Sequence, residues 1–188
     1  PMANSSVSVY VGPGDGYLRR SNSGVESWAT MRNSATASTV GPTATADFGV
    51  TARKDSYIYR SFYPVDLSGA GIPAGAAITG VTLYVWVTAK ASAGGGTTAN
   101  NSVTVVQASP ASNTTLEVGD YDSIGSTEWV SSRSAFSGFT TGAYNAFTLN
   151  AAAVANANTN IAGYFVPALI SGYDLDNVAP TPDTAISD

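Results

Sequence analysis

"IPAGAAITGVTLYVWVTAK", residues 72–90, decides the fold. A Pro/Gly turn at its head leads into strict alternation, with Val81, Leu83, Val85 and Val87 set against Thr82, Tyr84, Trp86 and Thr88. Successive side chains of a strand point to opposite faces, so this period of two predicts a strand whose valine and leucine face turns to the core. The same alternation puts Tyr84 and Trp86 together on the other face.

Outward from this strand the chain repeats its character. Ser102 to Ala108, Asn145 to Leu149 and Ile161 to Ile170 read as further strands, and Val7 to Val11 as a first strand ending at Gly12-Pro13-Gly14. Asp55 to Leu67 has the aromatic and β-branched content of a strand, but Pro64 cannot donate to a ladder and predicts an edge or a bulge there. Ser34 to Thr45 reads as loop and short edge strand, and residues 89–101, "AKASAGGGTTANN", as a flexible loop. "NAAAVANAN" from Asn150 is the one predicted helix, short and capped by Asn150. Short strands, Gly/Pro turns and one short helix predict an all-β protein, an antiparallel β-sandwich or jelly roll. With 188 residues, 44% of them hydrophobic, the chain suits a single domain. Pro1 ahead of Met2 reads as a cloning remnant, so that domain is taken as residues 2–188.

Composition then removes whole classes of chemistry. There is no histidine and no cysteine, which rules out a Ser-His-Asp triad, a Cys-His pair, an ordinary zinc site and any disulfide framework. A net charge of −5 argues against nucleic acid and against an anionic membrane surface, and no apolar run is long enough to span a bilayer. Paired carboxylates could still hydrolyse a glycoside, and Glu26, Glu117 and Glu128 are available, but each stands in a polar context with no apolar wall to raise its pKa. "GPGDG" lacks the spacing, helix and lysine of a phosphate loop and reads as a turn. Asp120 and Asp122 have calcium-loop spacing, yet Ile124 stands where the next oxygen ligand belongs. Asp174, Asp176 and Asn177 in "YDLDN" are oxygen donors that suit a structural calcium, and equally suit a turn closed by its own Asx side chains. Tyr84 and Trp86 suit stacking on a sugar ring, and equally suit cover by loops or a neighbouring subunit.

Three blocks, "DGYLRRSNSGVESWATMRNS" (15–34), "YIYRSFYPVDLSGAGIPAGAAITGVTLYVWV" (57–87) and "GAYNAFTLNAAAVANANTNIAGYFVPALISGYDLDNVAPTP" (142–182), resemble in the same order the DNRLRE-like jelly-roll modules of phage structural, tail-associated and bacterial surface proteins. The middle block is the most specific, with an arginine-bearing strand, an Asp-Leu-Ser turn, an Ile-Pro-Ala-Gly turn and an Ile-Thr-x-Val-Thr-Leu strand in tight succession. Where such modules usually carry Phe-Asp, Val65 precedes Asp66 here, with Pro64 before it. The resemblance implies a closing strand beyond the Asp-Leu-Asp segment, supplied by a longer chain or another copy, and it transfers no catalytic motif. Its further implication is a non-enzymatic phage virion component, a capsid decoration, fibre or tail-associated module, that needs no secretory signal because virions leave by lysis. The expected partners are further copies of the chain or other virion proteins. The alternative is a carbohydrate-binding module of a secreted enzyme or cell-surface adhesin, with a surface glycan as ligand. In this setting Tyr17, Arg19 and Trp28 are expected to tie a long surface loop onto the sheet, and Arg20 and Arg60 to pair with loop carboxylates.

Overall fold

The strand read over 81–88 forms, and the sheet it covers has a different order from the chain. In a computed structural model, which describes residues 5–22, 26–41, 52–53, 57–90 and 100–179, the largest sheet is antiparallel throughout. From edge to edge, with strands numbered in chain order, it runs β2 (Thr39–Gly41), β1 (Gly16–Ser21), β4 (Tyr57–Phe62), β12 (Pro167–Ser171), β7 (Ser102–Ala108) and β8 (Ile124–Glu128). Two short strands extend it, β3 (Ala52–Arg53) on β4 and β9 (Ser134–Ala135) on β7. Against this sheet lies a two-stranded ribbon of β6 (Thr82–Val87) and β10 (Ala143–Thr148), and β5 (Val65–Asp66) pairs with β11 (Tyr164–Phe165) nearby. The result is an all-β antiparallel sandwich whose sheet does not close into a barrel.

The large sheet is buried on both faces. On one, Val103, Val105 and Leu169 pack with Phe147, Leu149, Trp129 and Phe165, roofed by Leu83 and Val85 of the ribbon and by Ala153 and Ala157 of the helix that Asn150 caps. The Trp129 and Phe165 rings stack at 5.0 Å and 5°. On the other face Leu18, Phe62, Val106, Ala168 and Ile170 gather around Leu116 and Tyr121. That double burial explains why β7, with Val105 and Val106 side by side, and "PALI" bury apolar residues on both faces while β6 alternates cleanly.

Several expectations are corrected. Val7 to Val11 alternates but pairs with nothing among the described residues; Val7 and Tyr10 are exposed, and the first strand begins at Gly16, after the turn. Alternation without a face to bury does not make a strand. Tyr17 and Arg19 therefore stand in β1 rather than in a surface loop, and Trp28 is a buried residue of helix α1 (Trp28–Arg32) packed with Met31 and Ile58. Tyr57–Phe62 is a central strand, bonded to β1 along one side and to β12 and β3 along the other, while Pro64 stands outside its ladder as expected and the chain resumes beyond it as β5. Among the described residues three short α-helices occur instead of one: α1, α2 (Ala151–Thr159) and α3 (Gly172–Leu175). With five and four residues, α1 and α3 are too short to show a helical period, and they are set by their N-caps, Ser27 and Ser171. Residues 91–99 of the loop after β6, the end of the Ser34–Thr45 stretch and the segment where a closing strand was expected lie outside the described residues.

Val81, Leu83 and Val85 do face the core, as the alternation predicts, but they remain partly exposed because the ribbon has no third strand on either side among the described residues. The two layers therefore differ in how much they stand to lose. Ile170→Ala, at a fully buried site, is expected to cost about 2–5 kcal/mol, and Leu83→Ala to fall at or below the lower end of that range. Urea unfolding of both variants checks the order, and an equal or larger loss at Leu83 would contradict it.

Candidate functional site

The outer face of the ribbon carries the largest exposed aromatic group on the described surface. Tyr84 and Trp86 point outward from β6, 63% and 51% exposed, as the alternation requires. The register brings Tyr144 of β10 directly opposite Trp86, and Tyr144 is itself 65% exposed. The Trp86 and Tyr144 rings meet edge to face, 5.0 Å apart at 77°. Exposed Thr82 and Thr148 pair at the far end of the same face. Tyr144 escaped a reading that started the strand at Asn145. Alternation of Tyr144, Ala146 and Thr148 against Asn145, Phe147 and Leu149 was the signal that could have found it. The turn before it is firmly built: Asn145 accepts from the Thr140 N–H and donates back to the Thr140 carbonyl, both at 2.9 Å, and Gly142 takes a left-handed φ of 69°.

Asp174, Asp176 and Asn177 follow one another at the end of α3, but the structure gives each a separate task. Asp174 is fully buried and receives Arg60 in a two-pronged ion pair, Nε and one Nη each at 2.8 Å, while its own N–H is held by the Ser171 hydroxyl. Asp176 turns outward to Arg133 at 2.5 and 2.7 Å and to Asn100 at 2.7 Å. Asn177 sits at φ 54° and ends the helix, its N–H bonding the Asp174 carbonyl and the Val178 N–H bonding the Tyr173 carbonyl. That bond pattern is a Schellman close, which calls for a glycine or asparagine at this point. Both carboxylates thus already have arginine partners, and among the described residues no three acidic side chains converge.

The glutamates weighed as acid catalysts are likewise engaged. Glu26 pairs with Arg20, which realises the expected contact, and Glu117 gives its N–H to buried Asp120. Glu128 accepts from Arg133 at 2.8 and 3.1 Å and from the Thr104 hydroxyl at 2.7 Å. Arg133 thereby bridges Glu128 and Asp176, and it holds both carboxyls below their usual range while its own pKa is pushed up, first by Asp176 and then by Glu128. A carboxyl held down in this way is a poor proton donor, the opposite of what a glycosidase acid requires.

No protein-family model, curated protein or solved structure matches the chain, so the site is read from its own chemistry.

The bridge makes stability depend on acid. Glu128 and Asp176 have folded values below their ordinary 4.5 and 3.8, so the native state binds fewer protons there than the unfolded chain. Their contribution is complete above the ordinary values and disappears as pH falls through the lowered ones. Arg133→Gln is expected to flatten the loss of melting temperature below about pH 4.5, and an unchanged acid limb would refute the coupling. Asp174→Asn is expected to be far worse, about 3–5 kcal/mol at neutral pH, because it strands the buried Arg60 charge.

Proposed function

We propose that this chain is a non-enzymatic structural module of a phage particle, a decoration, fibre or tail-associated component that makes its contact through the Tyr84, Trp86 and Tyr144 face. The observation that carries the reading is that aromatic row, left exposed on an outer sheet face. Tyrosine and tryptophan are enriched where protein surfaces meet, because they offer much apolar area for little conformational entropy, and a bare patch of them marks an interaction site. The family resemblance of the three sequence blocks supports the virion setting. The engagement of Glu26, Glu128, Asp174 and Asp176 with arginines supports a structural role over a catalytic one.

A second reading, a carbohydrate-binding module of a secreted enzyme or adhesin, draws on the same rings with the threonine hydroxyls beside them. The ring geometry favours the first. At 77° to each other, Trp86 and Tyr144 present one face and one edge, which grips a ridge better than it supports a flat polysaccharide chain.

If the face is a protein contact, Trp86→Ala should keep its melting temperature and lose about 2 kcal/mol of association, roughly thirty-fold, with further copies of the chain or with another particle protein. Light scattering across a concentration series reads the first case. Antibody labelling of phage particles whose genome carries the gene reads the particle setting. Binding of the wild type to a neutral glycan array that vanishes in Trp86→Ala, without any protein association, would replace this reading by the second.

A further inference from the structure

The large sheet carries a second aromatic cluster, built around an arginine that meets no carboxylate among the described residues. Tyr17 and Arg19 share one face of β1, and the register sets Arg19 beside Tyr59 of β4. Tyr59 lies 5.2 Å from the Tyr17 ring and 5.1 Å from the Tyr57 ring, tilted to the first and edge-on to the second. Gly41, paired with Tyr17, makes room for this: a Cβ there would stand 2.0 Å from the tyrosine ring. None of the three tyrosines belongs to the apolar clusters of the core, and all three are half-buried.

Arg19 stands apart from the other arginines whose side chains are described. Arg20, Arg32, Arg60 and Arg133 each face a carboxylate. Among the described residues the Nη atoms of Arg19 meet only the Tyr59 hydroxyl at 3.4 Å and the Thr39 hydroxyl at 3.3 Å, long and neutral contacts, and its Nε is buried with no hydrogen-bond partner. Its guanidinium lies 5.9 Å over the Tyr59 ring, which steadies the group without neutralising it. A guanidinium offers a rigid fork of five N–H donors matched to a planar carboxylate, and this one meets no carboxylate among the described residues although the chain has 13 acids to 8 bases.

We propose that Arg19, framed by Tyr17, Tyr57 and Tyr59, binds the carboxylate of an acidic sugar. The fork takes the carboxylate, and the tyrosine rings take the apolar face of the pyranose. The net charge of the chain does not forbid this, since at physiological salt charges beyond about 8 Å are largely screened. This site is separate from the Tyr84 face and goes beyond the reading given above. The carboxylate could belong to a uronic acid or to a sialic acid, and the probes separate them.

The test is calorimetric titration of the whole chain with trigalacturonate, with its neutral methyl ester, and with 3′-sialyllactose. Binding of either acidic sugar, with at least ten-fold weaker binding of the ester where trigalacturonate is the ligand and of plain lactose where sialyllactose is, is the expected result. Arg19→Gln should abolish it and Trp86→Ala should leave it intact, which keeps this site distinct from the contact face. Arg19→Lys, which retains charge but not the fork, should fold and bind more weakly, and it serves if Arg19→Gln does not fold. No binding of either acid, equal binding of the neutral analogue, full binding by a folded Arg19 variant, or loss in Trp86→Ala would overturn the proposal.

Discussion

Everything around the large sheet is organised by one buried charge. Arg60 is 2% exposed in the middle of β4, and removing a guanidinium from water costs several kcal/mol unless its donors are met. Here they are. Asp174 takes two, the Tyr121 carbonyl takes one at 2.6 Å and the Arg32 carbonyl another at 2.9 Å, while the Tyr121 ring lies 4.0 Å beneath the plane. Burial works against the charge, but the Asp174 carboxylate overcomes it, and Arg60 titrates above its ordinary value. Helix α1, the turn after Asp120, strand β4 and helix α3 thus share one centre. Arg32 reinforces it by donating to the Asp174 carbonyl at 2.6 Å. Such a centre is directional where apolar packing is not, and it fixes how three loops seat on the sheet.

The sequence was legible where a face is buried on one side only. Thr82 to Val87 alternates because one side of the ribbon meets the core and the other meets water, so strand, register and outward aromatics all followed from the period. Legibility failed where burial did not alternate or did not exist. Val7 to Val11 has the pattern without a strand partner among the described residues, and β4 has a partner on each side despite the proline close behind it. The short helices were invisible for another reason, since their stability lies in a serine cap and a terminal asparagine rather than in any repeat.

The candidate sites divide along the same line. Tyr84 and Trp86 were readable because their orientation is a local property of one strand. The fate of Asp174 and Asp176 was not, because their arginine partners lie 114 and 43 residues away in the chain, and only the folded sheet brings them together. Arg19 was hidden more deeply. Its distinction is that it meets no carboxylate among the described residues, and that can be seen only once Arg20, Arg32, Arg60 and Arg133 have been given their partners.

The position of β12 has a consequence for how the protein is made. This strand lies between β4 and β7 in the centre of the sheet, although both of those neighbours leave the ribosome long before it does. Until residues 167–171 emerge, the nascent chain holds two apolar strands with bare edges facing a gap, and Arg60 has no carboxylate to meet. The centre of the sheet can therefore be filled only after the strands that flank it have been made. Pairing of this non-local kind slows folding and leaves strand edges open in an unfinished chain.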